Sequence, residues 1–311
     1  MIPPYLYLLF GLLLLFVSGK YLVESSVAIA RRLKIPTMII GLTVVAFGTS
    51  APELLVSAQA AFRGFPEIAM GNVVGSNISN ILLVLAITAV IFPIPVPSKS
   101  VRVDWPVMMF VSLLLFGFTL NGWLNRLEGF ILISLLVVYI SMMVILVRKT
   151  KGTGTEKSVD GSMRVWLAII VFLVSCAGLT KGADLLVKNA AIIAEDLGIS
   201  RRVISITMIA VGTSIPELVT SVIAAMKKQT DISVGNIIGS NIMNILSVLG
   251  FTSIVRPVRV DDTIARFDIP WMLAVSVVLL LFMLPAARSR ITRWEGVLMI
   301  VLYLLYIYLI F

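Results

Sequence analysis

Glu53 and Glu217 each stand alone among uncharged residues: no other charge occurs from 35 to 62 or from 203 to 226. A carboxyl group at the middle of a spanning helix costs on the order of 3 kcal/mol on insertion scales, so two of them need a compensating partner. No Lys or Arg stands at the same depth in these stretches, whereas neutral oxygen donors crowd around both acids. Thr49 and Ser57 fall four residues either side of Glu53, which on an unbroken helix stacks all three on one face with Ser50 beside them. Asn72, Ser76 and Asn80 keep the same spacing further on. The second set is Thr213, Ser214, Glu217 and Ser221, followed by Asn236, Ser240 and Asn244. Two carboxylates with hydroxyl and amide oxygens suit a hard cation. Calcium takes six to eight oxygens at about 2.3–2.6 Å in loose geometry, magnesium demands stricter octahedral order, and sodium occupies similar oxygen sites at lower charge. Two carboxylates neutralise one divalent ion or two monovalent ones, so such ions can replace one another. The plainer reading is a pair of protonated glutamates hydrogen-bonded between helices as structural glue. The donors at matched spacing favour the cation.

Other chemistries are excluded by what the chain lacks. Histidine is absent, which removes imidazole zinc sites, Ser-His nucleophiles and imidazole proton relays. Cys176 is the only cysteine, so there is neither an intramolecular disulfide nor a thiolate metal site. With 59% hydrophobic and 13% charged residues, 311 residues cannot cover a soluble globule, and the chain reads as an integral membrane protein. The net charge of +9 comes with no basic cluster interleaved with aromatics, so no nucleic-acid partner is expected; the lipid bilayer is. The N-terminus lacks a basic n-region and cleavage site, so its apolar run reads as a retained first span.

The elements that position the two acids occur twice. Residues 41–84 recur as 205–248 with a constant offset of 164, no insertion and 22 of 44 positions identical. The retained letters are the polar ones: Gly48-Thr49-Ser50, Pro52-Glu53-Leu54, Gly71-Asn72, Gly75-Ser76-Asn77-Ile78 and Asn80, each with its copy in the second half. Pro52 lacks an N–H and its ring clashes with the carbonyl at Gly48, which predicts a bend or break there, and Pro216 predicts another at Gly212. Carbonyls freed by such breaks are tolerated at membrane depth only where they line a cavity or meet an ion. The pairs Gly71/Gly75 and Gly235/Gly239 let backbones approach closely, as small residues four apart do in membrane helices.

About 20 apolar residues cross a bilayer core, and ten segments fit: about 3–24, 35–62, 68–93, 104–121, 127–147, 164–188, 199–226, 232–255, 268–287 and 293–311. Residues 148–163 hold the one long polar run and read as a flexible linker between a five-helix half at 1–147 and another at 164–311. Five is odd, so the second half enters from the opposite side, which makes an inverted repeat about a pseudo-two-fold axis in the membrane plane. The expected fold is all-α, ten transmembrane helices in two inverted five-helix repeats. Of the 25 Lys and Arg, sixteen fall on the side that carries the linker and nine on the other. That bias places the linker in the cytoplasm and both termini outside a cell membrane.

The paired motifs Gly48-Thr-Ser-Ala-Pro-Glu53 with 71–80, and Gly212-Thr-Ser-Ile-Pro-Glu217 with 235–244, closely resemble the alpha repeats of the sodium/calcium exchanger family, and more particularly its prokaryotic or archaeal members. The resemblance covers the whole chain. It implies a secondary active antiporter working by alternating access, in which spans 1 and 6 slide as gates across an eight-helix core and the sodium gradient drives calcium extrusion. It implies that Glu53 and Glu217 are the central calcium ligands, joined by Thr49, Ser50, Ser76, Asn80, Thr213, Ser214, Ser240 and Asn244 and by the main-chain oxygens of Ala46 and Ala210. The ions are cargo; no cofactor is expected, and a monomer is expected to suffice. Two departures stand out. Family members often have an aspartate where Asn244 stands, and the large calcium-sensing cytoplasmic loop of eukaryotic relatives has no counterpart in the short linker.

Competing functions have their own signatures. A calcium/proton antiporter typically carries a glutamate where this chain reads Gly-Ser-Asn at 75–77 and 239–241, and a potassium-dependent exchanger tends to use aspartate where Asn80 and Asn244 stand. An intramembrane hydrolase lacks the histidine-based machinery it would need. A passive channel is separated from a carrier by counterflow.

Overall fold

The computed structural model describes residues 3–150, 163–197, 212–284 and 290–310. Ala210, most of the 148–163 linker and the first stretch of the second repeated motif lie outside the described residues. The chain is helical almost throughout. We number the helices α1 (Pro4–Leu33), α2 (limbs Thr37–Thr49 and Ala51–Arg63), α3 (Glu67–Ile91), α4 (Ser100–Thr119), α5 (Arg126–Thr150), α6 (Val165–Asp196), α7 (Ile215–Met226), α8 (Thr230–Val255), α9 (Ile264–Met283) and α10 (Arg293–Ile310). Eight of them are long and apolar enough to cross a membrane, nine if the bent α2 counts as one span, and α7 is a shorter apolar helix among the described residues.

Burial sorts these helices. In α3 72% and in α8 89% of the apolar stretch is buried inside the protein, against 22–33% in the other six unbroken spans. The molecule is thus built around α3 and α8, with its remaining apolar surface available to lipid. Close approach at glycine sets the inner packing. A Cβ on Gly235 would lie 2.9 Å from the Met38 carbonyl oxygen, and one on Gly239 would lie 2.6 Å from that of Leu42, so α8 runs backbone to backbone along the first limb of α2. The matching neighbours expected for Gly71 and Gly75 lie at 202–210, outside the described residues.

The two halves are interlaced. Gly129 of α5 abuts the Gly250 carbonyl of α8, and Gly296 of α10 abuts the Ala86 carbonyl of α3. Two short antiparallel ladders repeat the exchange: β1 (Ile94–Pro95) pairs with β4 (Arg290–Ile291), and β2 (Trp123–Leu124) with β3 (Val258–Arg259). Each ladder joins loops that the distribution of basic residues assigns to one membrane side, as does the contact of Lys227 with Glu24.

Helices α1 and α6 lie against one another at Gly11, Gly178 and Gly182, where Cβ atoms would meet backbone or the Ser18 hydroxyl. Both outrun their expected spans of 3–24 and 164–188. Counting apolar letters stops where charges recur, but backbone hydrogen bonding does not, and at 1.5 Å per residue the 32 residues of α6 reach about 48 Å, past the hydrocarbon core.

Candidate functional site

A chain break puts Glu53 where it is. Ser50 has φ −82° and ψ 4°, which ends the first limb of α2, and the second limb starts at Ala51 bent by 42°. Pro52 therefore sits in the first turn of a new helix, where its missing N–H costs nothing, and not in the middle of a kinked one. Ser214 has nearly the same backbone angles, φ −84° and ψ 1°, ahead of Pro216. Each glutamate consequently lies in the first helical turn, where the backbone dipole favours negative charge. The break also corrects the single-face arrangement: Thr49 belongs to the limb before it, while Glu53 and Ser57 share the limb after it.

Serine at such a break ordinarily caps its own helix. Ser50 does not: its hydroxyl donates to Glu217 Oε1 at 3.1 Å, in the other copy of the motif. Ser240 donates to the same oxygen at 3.4 Å. Thr49 Oγ1 lies 3.0 Å from Asn236 Oδ1, 3.3 Å from Ser240 Oγ and 3.3 Å from the Ala46 carbonyl, which also accepts the Ser50 N–H at 3.0 Å. The mirrored set is Thr213 Oγ1 at 3.2 Å from Ser76 Oγ and 3.5 Å from Asn72 Oδ1. Within each copy a helix pair is clipped by an amide donating to a hydroxyl, Asn72 to Ser57 at 3.2 Å and Asn236 to Ser221 at 3.1 Å.

Both glutamates are fully buried, and each interacts electrostatically with groups of the opposite copy: Glu53 with Glu217 and Thr213, Glu217 with Ser50 and Thr49. Among the described residues, Glu53 Oε1 and Oε2, Glu217 Oε2, Asn80 Oδ1, Asn244 Oδ1 and Ser214 Oγ are buried with no hydrogen-bond partner. Unpartnered buried oxygen is costly, and the carboxylate and amide oxygens among these suit a positively polarised guest. Asn80 and Asn244 each open a widened π-helical turn, Asn80–Leu85 and Asn244–Leu249. The first turn packs on α7, which carries Glu217, and the second on the limb that carries Glu53. Among the described residues no group of three or more Asp, Glu, His or Cys could hold a metal by itself, so neutral oxygens must complete any cation shell.

Of the residues singled out from sequence, Glu53, Glu217, Thr49, Ser50, Ser76, Thr213 and Ser240 form one contact network. Asn80 and Asn244 join each other's half through Asn241 and Asn77. Those two asparagines went unremarked as site residues because they fall one position off the Ser76/Asn80 face; their identity in both copies was the available signal. A third fully buried acid, Asp104 of α4, also has both oxygens unpartnered among the described residues, whereas its counterpart Asp268 accepts the Tyr306 hydroxyl at 2.8 Å.

The fold and site define an all-α, multi-pass membrane protein with an oxygen-lined, doubly acidic centre suited to a cation. Comparison with known proteins narrows the class. The sodium/calcium exchanger protein family matches residues 4–145 and 167–311. CaxA of Alkalimonas amylolytica is 39% identical over 100% of this chain and 99% of its own length. The sodium/calcium exchanger MaX1 of Methanosarcina acetivorans is 32% identical over 99% of this chain and 98% of its own. A solved structure of the sodium-calcium exchanger NCX_Mj, soaked with 2.5 mM Na+ and 0.1 mM Ca2+, aligns with a TM-score of 0.83 at 32% identity over 99% of this chain and 98% of that one. The chain belongs to the sodium/calcium exchanger family, as the resemblance of its motifs implied, and its similar relatives include prokaryotic and archaeal proteins. The family consists of exchangers, not enzymes.

Proposed function

We propose that this protein is a secondary active antiporter that exchanges sodium for calcium by alternating access, the sodium gradient driving calcium out of the cell. The observation that carries this reading is the set of buried carboxylate and amide oxygens of Glu53, Glu217, Asn80 and Asn244 that lack partners among the described residues, divided between two copies of one motif. Glu53 and Glu217 are the central ligands. Thr49, Ser50, Ser76, Asn80, Thr213, Ser214, Ser240 and Asn244 supply hydroxyl and amide oxygens, and Ala46 and Ala210 supply carbonyls. Two carboxylates balance one calcium or two sodium ions, so occupation by one cargo excludes the other at no cost in net charge. The halves 1–147 and 164–311 form ten spans of opposite orientation joined by a cytoplasmic linker at 148–163, with both termini outside the plasma membrane; the ladders and the Lys227–Glu24 pair support the grouping of loops by side. A monomer contains the whole site. Helices α1 and α6, least engaged with the central pair, are the sliding gate.

The test is uptake of radiolabelled calcium into proteoliposomes, with sodium and proton gradients imposed separately. Uptake should require an outward sodium gradient and persist when the proton gradient is collapsed. Uptake that tracks the proton gradient, or calcium flux without counterflow, overturns the reading.

A further inference from the structure

An asparagine side chain has two nearly isosteric ends of opposite character. Its Oδ1 attracts a cation and its Nδ2 repels one, so an asparagine serves as a ligand only if something fixes which end points inward. In this protein the fixing group is visible at both asparagines of the proposed cation site. Asn80 Nδ2 donates to Asn241 Oδ1 at 3.1 Å, and Asn244 Nδ2 donates to Asn77 Oδ1 at 3.2 Å. Both bonds cross from one half to the other, and both leave the Oδ1 of Asn80 and Asn244 buried with no partner among the described residues. The fixing asparagines are themselves oriented. Asn77 Nδ2 donates to the Asn241 main-chain carbonyl at 3.2 Å, and Asn241 Nδ2 rests on Met108 Sδ at 3.6 Å.

We infer that Asn77 and Asn241 are positioning residues for ion binding: each holds the amide of the opposite half's asparagine so that its oxygen faces the cation. The inference rests on the proposed function. It adds a requirement that the ligands alone do not contain, namely that the wrong rotamer, an NH2 aimed at the ion, be forbidden. It also ranks the two locks. A peptide carbonyl is a strong acceptor and a thioether a weak one, so Asn77 is anchored more firmly than Asn241, and the orientation of Asn244 is held more firmly than that of Asn80.

A double-mutant cycle separates positioning from packing. Asn77→Leu keeps the size of the side chain and removes the acceptor. In the native background it should raise the calcium concentration for half-maximal binding about tenfold or more, the usual effect of losing a group that orients a metal ligand. In the Asn244→Asp background the same change should cost nothing, because a carboxylate has no wrong end. The second cycle, Asn241→Leu with Asn80→Asp, is measured alongside it, so that a fold lost in one half leaves the other to decide. The reading is calcium titration of the purified full chain in detergent, with monodispersity and melting temperature as the check on folding. A penalty of equal size in both backgrounds, or none in either, overturns the inference. Glu53→Gln separates that outcome from failure of the function itself: if this variant binds calcium normally the proposed site is wrong, and if it does not while the cycles show no coupling, only the positioning role is wrong.

Discussion

Glu53→Gln removes the charge at nearly constant side-chain size, leaving the surrounding Thr213 and Ser76 hydroxyls in place. Unit charges about 4 Å apart at an effective dielectric constant of about 20 interact by about 4 kcal/mol, and a divalent ion doubles that to about 8 kcal/mol. The repulsion between the two ionised carboxylates is present with and without the ion, so it drops out of the binding difference. A loss of about 8 kcal/mol weakens calcium binding by about five to six orders of magnitude. Melting in detergent reads this out without any transport assay. Calcium at about a hundredfold its native dissociation constant stabilises the native protein by about 2.7 kcal/mol, and the same concentration stabilises the variant by less than about 0.1 kcal/mol. Without ions, the variant should melt no lower than the native protein, since a buried like-charge contact has been removed. A calcium-induced rise in melting temperature equal to the native one would refute the placement of Glu53 at the ion. An ion-free variant that melts far lower would refute the claim that its charge is uncompensated.

Ser50→Ala should lower the ion-free melting temperature more than Ser214→Ala, because the Ser50 hydroxyl donates to a buried carboxylate, a bond worth about 1.5–3 kcal/mol, while that of Ser214 has no partner among the described residues. Equal shifts would count against the crossed bonding. Gly239→Ala would set a Cβ 2.6 Å from the Leu42 carbonyl oxygen and 2.8 Å from the Ala46 Cβ, so the α8–α2 contact must open, and size-exclusion profiles should show loss of folded protein. Gly117→Ala, with no described atom within 4 Å of the new Cβ, should fold as well as the native chain or slightly better. Acidification should raise the calcium concentration needed for half-saturation, since the ion takes both carboxylates in their ionised form and protons compete for them. Asn244→Asp adds a third competing group and should steepen that dependence; identical pH profiles for the two proteins would place residue 244 away from the ions.

Much of the site was legible because duplication had already filtered it. Polar letters retained in two apolar copies pointed to Glu53, Glu217 and the serines and threonines around them, and the structure buries both acids with Ser50 and Ser240 bonded to Glu217 and Thr213 beside Ser76. Helical periodicity misled at Thr49, because a proline that reads as a mid-helix kink instead begins a new helix and Ser50 ends the old one. That choice depends on where the chain can turn within a packed interior, which a local window does not contain. The crossing of bonds, Ser50 to Glu217 and Asn80 to Asn241, was equally hidden. Spacing reveals which residues share a helix face, not which face of another helix meets it. The lengths of α1 and α6 were underestimated because apolar counting ends a span at charges such as Glu24 and Lys188, whereas the backbone ladder runs on to Leu33 and Asp196.

The interlacing of the halves has a consequence for how the protein comes to be folded. The surface of α3 that receives α10 at Gly296 stays uncovered until a helix made long afterwards arrives, and α5 must wait for α8 before Gly129 finds its seat. Neither half closes its own interior, so a severed half should be a substrate for membrane quality control until its complement is supplied.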